Sequence, residues 1–332
     1  MIDDRVICDL VDGVTGSIAV AVAHDLGVFQ RLADGPRAAH ELRAALGLTH
    51  DGGDALLTIC VAAGLLDRVE QTLLSAADEQ TGVSALQSYA LTPVAAKFLV
   101  EGTPLYCGWL FELLSSDAPP FSYANLKRAV LGDAPPMQWD AERFTRMMHG
   151  HSMAAALAWP EAIDLSDARC FLDVGGGSGA HAIGATQRWP RLRAIVLDLP
   201  DVCRAASRFI EGHPSIELRE ADMWIDDWPA ADVHFFSDVF HNWTAEQCRT
   251  LARMSFDRLP RGGRILVHET PYDDDKRGPF TVAASSLAMA AWCGGRQFSA
   301  REIAEMLSEA GFVEIETRKT FGYWSIIAGR KR

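Results

Sequence analysis

The run Phe171-Leu172-Asp173-Val174-Gly175-Gly176-Gly177-Ser178-Gly179 joins an apolar strand pattern to a glycine-rich turn that opens a helix. Glycines, lacking Cβ, permit the tight turn and let backbone approach a ligand outside the carboxyl ends of the strands. The next strand ends in Leu197-Asp198-Leu199-Pro200, ~20 residues further on, where a carboxylate can accept hydrogen bonds from both hydroxyls of a ribose. Gly175, Gly177 and Ala180 also satisfy the dinucleotide fingerprint, so the glycines alone leave two cofactor classes open. Asp173 before the turn and Ala221-Asp222-Met223 after the third strand tip the balance. One acid suits the ammonium of an amino acid, the other an adenine amino group, and a pyrophosphate gains nothing from Asp173. Local roles compete with this reading: Asp173 as a turn stabiliser, Asp222 as a helix cap.

Elements must hold these residues in place. After Ser166, short apolar strands alternate with helical stretches: Cys170 to Val174, Ala194 to Leu197, Ile216 to Leu218, Val233 to Phe236 and Arg264 to His268. That rhythm predicts a parallel sheet flanked by helices, closed by an antiparallel hairpin of Val313 to Thr317 and Tyr323 to Ala328. From about Val14 to Val100 the pattern is helix, turn, helix and a small β-wing. Prolines cluster between Ser115 and Trp139 (Pro119, Pro120, Pro135, Pro136), marking an irregular connection, and a helix with Phe144, Met147 and Met148 follows.

Charge narrows the partners. With a net charge of −13, a polyanion is excluded, since nucleic-acid binding draws on lysines and arginines that displace phosphate counterions. Before position 100 the basic residues are Arg5, Arg31, Arg37, Arg43, Arg68 and Lys97, outnumbered by acids. Where a recognition helix would lie, Leu56, Leu57, Ile59 and Val61 replace side chains able to reach base edges. The N-terminal region therefore reads as packing or a subunit interface. The first residues lack the basic start and apolar run of a signal peptide, and no stretch of about 20 apolar residues is expected, so no membrane partner and a cytoplasmic location are the expectations. The seven cysteines stand singly, without a Cys-x-x-Cys pair, and read as reduced thiols.

Asp173 to Gly179, with Asp198, Ala221-Asp222-Met223 and Phe240-His241-Asn242-Trp243, resembles the small-molecule O-methyltransferases of the caffeic acid and acetylserotonin type, over nearly the whole chain. Leu26-Gly27-Val28-Phe29, Leu32 to Pro36, Ala62 to Leu66 and Tyr89 to Pro93 are similar to that family's winged-helix dimerisation domain. The resemblance implies S-adenosylmethionine as cofactor and a homodimer. It implies that Asp173 and Gly175, with Gly177, face the methionine part, Asp198 the ribose, and Asp222 and Met223 the adenine, with Ser237 and Trp243 on the cofactor side. Phe144, Met148 and Met289, with Gln297, would line the acceptor pocket. His241 matches the family's catalytic histidine, and Glu269, ending the fifth strand, matches a carboxylate flanking it. Methyl transfer from a sulfonium is an in-line displacement that needs an aligned acceptor and a base, and imidazole suits that task.

The chain departs from the family pattern in several places. Asn242 stands where Asp is usual, Gln297 where a second glutamate is usual, and Asp238 precedes His241 by three residues. Asp238 and His241 are i, i+3 neighbours if the segment turns helically, so both could converge with Glu269 and Gln297 on one divalent ion, zinc or iron. Such an ion would chelate a 2-oxo acid and stabilise its enolate, moving the methyl to carbon; the alternative is a polar cluster around a metal-free base acting on a hydroxyl such as a phenol. His149, His151, His181 and His268 are read as structural.

The expected fold is α/β: a mainly helical winged-helix dimerisation domain (1–105), a helical connection lining the substrate pocket (106–165) and a class I, Rossmann-like methyltransferase domain (166–332). The rival functions are an NAD-dependent oxidoreductase and a metabolite-sensing winged-helix regulator.

Overall fold

The computed structural model describes residues 4–71, 86–114, 122–132 and 140–332. It divides into two compact units, Met1–Pro119 and Pro120–Arg332. The polar stretch before Tyr89, and the four prolines of the expected connection, lie outside the described residues. Between those prolines the chain is not irregular throughout: Tyr123–Val130 forms a helix that Ser122 caps through the backbone N–H of Asn125.

In the first unit the order is α1 (Arg5–Asp25), α2 (Val28–Arg31), β1 (Arg37–Ala38), α3 (Ala39–Leu46), α4 (His50–Ala62), β2 (Leu66–Gln71), β3 (Leu86–Leu91) and α5 (Pro93–Phe98). The three strands form a small sheet in the order β1-β3-β2, which is the wing. Val20, Phe29, Leu32, Leu42, Leu57, Cys60 and Tyr89 make one core cluster, so α4 turns its apolar face inward. Helix α1 starts well before the expected Val14. It is also, against the sequence expectation, long and apolar enough to cross a membrane by length and composition. Asp9 and Asp12 interrupt the apolar run in sequence, but two acids do not break a helix. Val6, Ile7, Leu10, Val11, Val14 and Ile18 on it are exposed.

The second unit runs α6 (Tyr123–Val130), α7 (Ala141–Ala158), β4 (Cys170–Val174), α8 (Ala180–Arg188), β5 (Arg193–Asp198), α9 (Pro200–Ala206), β6 (Ile216–Glu220), β7 (Val233–Ser237), α10 (Ala245–Arg258), β8 (Arg264–Glu269), α11 (Phe280–Trp292), α12 (Ala300–Glu309), β9 (Val313–Lys319) and β10 (Ser325–Arg330). Its seven strands lie in the order β6-β5-β4-β7-β8-β10-β9. Strands β4 to β8 pair in parallel, and β10 is antiparallel to both β8 and β9. Leu172, Val174, Ile195, Leu197, Ile265 and Val267 pack on one face, while Phe171, Ala194, Val196, Val233, Phe235 and Leu266 pack on the other. Burial on both faces is why these strands read as continuous apolar runs in the sequence. The chain leaves β4 toward β5 and β6, then returns to β7 on the opposite side of β4. In such sheets the crevice beyond the carboxyl ends of the strands flanking that reversal is where ligands bind.

Candidate active site

Two loops meet at that reversal, one after β4 and one after β7. The first is the glycine turn: Gly175, Gly177 and Gly179 adopt φ of 68°, 56° and 80°, a left-handed region that side chains with Cβ resist. Asp198, at the end of β5, fastens this turn. Its Oδ2 accepts a hydrogen bond of 2.8 Å from the Gly177 N–H, and its Oδ1 accepts one of 2.8 Å from Leu199 N–H. Asp173, at 0% exposure, has no hydrogen-bond partner for either carboxylate oxygen among the described residues. Burial, and then the charge of Asp198, pushes its carboxyl up to about 8. A buried carboxylate without donors is costly, and an incoming cation would relieve it.

The remaining residues expected around the cofactor are placed less uniformly. Asp222 Oδ1 accepts from Trp224 N–H at 2.9 Å, and its own N–H donates to Asp226 Oδ2 at 2.8 Å, so this acid already organises a local turn. Met223 packs against the sheet core beside Trp224 and Trp243. The two indoles meet edge to face at 4.9 Å, and neither buried Nε1–H has a partner among the described residues. The Ser237 hydroxyl is taken up by His268, 3.1 Å from its Nδ1, while His268 Nε2 lies 2.9 Å from Thr320 Oγ1.

The second loop carries the candidate catalytic residues. Asp238 leaves β7 at φ 55°, a strained conformation for a residue with a side chain. The short 3-10 turn Phe240–Asn242 follows. Asn242 explains itself here: its Nδ2–H donates to the Asp238 carbonyl oxygen at 2.8 Å, a bond that aspartate in that position could not make. The turn sets His241 against the end of β8. His241 Nδ1 lies 2.7 Å from Glu269 Oε2 and 3.5 Å from Asp238 Oδ1. Carboxylate only accepts, so Nδ1 carries the proton and Nε2 is left for a substrate. Burial alone would lower the imidazole pKa; the charge and hydrogen bond of Glu269, then the charge of Asp238, outweigh it and raise it to about 9. Asp238 is in turn pushed up to about 7, by burial foremost, with His241 opposing and Glu269 adding to the rise.

Gln297, 3% exposed, brings its side-chain amide to 3.3 Å from His241 Nδ1, and with the proton on that nitrogen the amide oxygen is the end that can accept from it. One ligand atom each from Asp238, His241 and Glu269 lie within 4.8 Å of one another, close enough that the three could hold a metal ion. The four residues expected to converge therefore do so. Phe144 and Met148 stand on α7, and Met289 on α11, whose Trp292 meets the Phe144 ring at 5.5 Å. Two histidines expected to be structural border these loops. His149 lies 2.9 Å from Ser178 Oγ in the glycine turn and stacks on Phe209, and His151 Nε2 lies 3.7 Å from Asp238 Oδ2. No local spacing signals either, because both partners are distant in sequence. An open cavity of about 640 Å³ in the first unit, lined by Gln30, Arg31, Asp34 and Arg37 among others, holds none of this chemistry.

A doubly wound sheet with a glycine turn, an acid ending the second strand and a histidine beyond the fourth defines a nucleoside-cofactor transferase of the class I methyltransferase kind. Residues 137–313 match the O-methyltransferase domain, and residues 8–101 the O-methyltransferase dimerisation domain. The chain belongs to this O-methyltransferase family and is an S-adenosylmethionine-dependent enzyme. It is 30% identical to 3-hydroxy-5-methyl-1-naphthoate 3-O-methyltransferase of Streptomyces sahachiroi, over 97% of this chain and 94% of the relative. It is 31% identical to acetylserotonin O-methyltransferase of Bos taurus, over 96% and 95%. The crystal structure of human N-acetylserotonin methyltransferase with S-adenosylmethionine shares the fold at a TM-score of 0.83 and 24% identity, covering 98% of this chain and 97% of that one. The chain is thus a methyltransferase, not a dinucleotide-dependent oxidoreductase, and the winged first unit is a dimerisation domain, not a DNA reader.

Proposed function

We propose that the enzyme methylates a hydroxyl of a small, largely apolar acceptor in secondary metabolism, with His241 as the base and Glu269 holding it. The observation that carries this reading is the 2.7 Å contact between His241 Nδ1 and Glu269 Oε2, which leaves Nε2 as the nitrogen for the acceptor. Bound S-adenosylmethionine supplies an electrophilic methyl carbon on a sulfonium. Asp173 meets its ammonium, Gly175 and Gly177 admit its methionine portion, Asp198 its ribose, and Asp222 and Met223 its adenine, with Ser237 and Trp243 beside it. Phe144, Met148 and Met289 would hold the acceptor body, and in-line transfer would require its oxygen to face the methyl group. His241 Nε2 takes the acceptor proton, and Glu269 stabilises the imidazolium. The two relatives named above are both O-methyltransferases, which supports oxygen as the nucleophile.

A second reading rests on a different observation. Two acids share one imidazole, so the cluster is short of positive charge. Asp238, His241, Glu269 and Gln297 fit a divalent ion, zinc or iron, which would supply a Lewis acid for C-methylation of a 2-oxo acid. Metal analysis of the purified protein, then turnover of labelled S-adenosylmethionine with phenol and 2-oxo acid panels before and after chelation, separates the two. Full activity without metal overturns the second reading; activity that needs metal, with methyl on carbon, overturns the first.

The exposed apolar face of α1 is covered by a second copy of the chain, a homodimer supported by the dimerisation match across residues 8–101. The working division is 1–105 for dimerisation, 106–165 for the acceptor-side connection and 166–332 for catalysis. A cytoplasmic location is supported by seven cysteines, all free.

A further inference from the structure

The cavity of about 640 Å³ in the first unit falls within the size range of small-molecule sites, and methyl transfer makes no use of it. Leu26 just after α1, Gln30 and Arg31 on α2, Asp34, Arg37 on β1 and Leu46 at the end of α3 line it. Two of the six basic residues before position 100 therefore face one hollow in an acidic chain. In the second unit Arg188, Arg193, Arg204, Arg208 and Arg249 each meet an acid. Neither Arg31 nor Arg37 has an ion-pair partner among the described residues, and Asp34, in the same hollow, pairs with neither. Arg37 is nevertheless held in place: its Nε–H donates to the Arg31 carbonyl oxygen at 2.7 Å, so both terminal nitrogens of its planar fork keep their donors. Gln30 Oε1 accepts from the Glu101 N–H at 3.1 Å, which leaves the amide N–H donors over. Two guanidinium groups against one carboxylate give the hollow a single net positive charge, which suits a monoanion better than a dianion. A carboxylate also matches the guanidinium fork.

We propose that this cavity is a ligand site in its own right, one that takes the carboxylate of a small apolar acid. Arg31 and Arg37 hold the carboxylate, Gln30 adds a donor, and Leu26 and Leu46 meet the apolar body. Asp34 sets the charge and so excludes dianions. The site goes beyond methyl transfer and stands independently of it.

The test is calorimetry on the full chain loaded with S-adenosylhomocysteine. Three probes are titrated: 1-naphthoate, which carries no hydroxyl to methylate, its neutral isostere 1-naphthamide, and inorganic sulfate as a dianion. Wild type is expected to bind 1-naphthoate with a Kd below about 1 mM, at least about tenfold more tightly than either of the others. Arg31→Gln and Arg37→Gln should each weaken 1-naphthoate by about tenfold or more, the effect of one lost charge-assisted hydrogen bond. S-adenosylhomocysteine affinity and oligomeric state, the controls for folding and assembly, stay unchanged in both. Asp34→Asn should narrow the gap between sulfate and 1-naphthoate. No binding of 1-naphthoate, equal binding of the amide, or binding that survives both arginine substitutions overturns the site. Sulfate as tight as 1-naphthoate in wild type, or an Asp34→Asn protein with the gap unaltered, overturns its assignment to a monocarboxylate.

Discussion

Glu269 Oε2 sits 2.7 Å from His241 Nδ1 with only 2% and 10% of the two side chains exposed, so the imidazole is clamped by a charge that water does not screen. The pair raises the imidazole to about 9, and the neutral form that accepts a proton is therefore scarce at pH 7. Turnover at saturating cofactor is expected to climb with pH toward an inflection near 9. Glu269→Gln removes the clamp and moves the inflection back toward 6.5, the ordinary value, with a lower maximum rate. A pH–rate profile on both proteins checks this, and a flat wild-type profile would remove His241 as the base.

His241→Ala should cost about 10²- to 10⁴-fold in turnover, the range for a lost general base, with cofactor affinity intact by calorimetry. Asp198→Ala should do the reverse. Its carboxylate holds the Gly177 N–H at 2.8 Å, so its loss loosens the glycine turn as well as the ribose site. Cofactor affinity is expected to fall by about 10- to 100-fold, the equivalent of one hydrogen bond to a charged group.

Cofactor binding should be coupled to proton release. Asp173 is raised to about 8 in the ligand-free enzyme, and meeting an ammonium requires the ionised form. Below that pH the carboxyl must lose its proton on binding, so affinity weakens as pH falls from 8. Calorimetry at pH 7 in two buffers of different ionisation heat reads the released proton directly, and Asp173→Asn should abolish both the release and the pH dependence.

Two glycines are structural tests of the site. A Cβ on Gly295 would collide with the His241 carbonyl oxygen and the Asn242 backbone, and one on Gly184 with the Ala156 carbonyl oxygen where α8 crosses α7. Both alanine variants should lose about 1–3 kcal/mol of stability through overpacking. Only Gly295→Ala should also displace His241, so thermal melts will move for both and residual kcat at a permissive temperature will fall for Gly295→Ala alone.

The catalytic sheet was largely readable because strands buried on both faces leave unbroken apolar runs, and because the glycine turn needs residues that few other structures require. The start of α1 was not, since Asp9 and Asp12 interrupt the apolar pattern that the sequence reading followed. Asp238, Asn242 and Gln297 were visible as departures, and the meeting of Asp238, His241 and Glu269 followed from the ends of β7 and β8, while Gln297 reaches them from the segment between α11 and α12. What Asn242 does, however, depends on the backbone of Asp238 turning to positive φ, which composition does not announce. The surroundings of His151 and His149 were not legible because their partners are distant in sequence, and a lone histidine on a helix reads the same whether it packs or binds.

Strand β10 lies between β8 and β9, yet it is the seventh strand of that sheet to be synthesised. Until residues 325–330 emerge, β8 and β9 each keep an open edge, and an open edge recruits strands from other chains. Nascent or truncated chains lacking that strand should therefore be the form most prone to self-association and most dependent on chaperones, although every residue of the glycine turn and the His241 loop would already be in place.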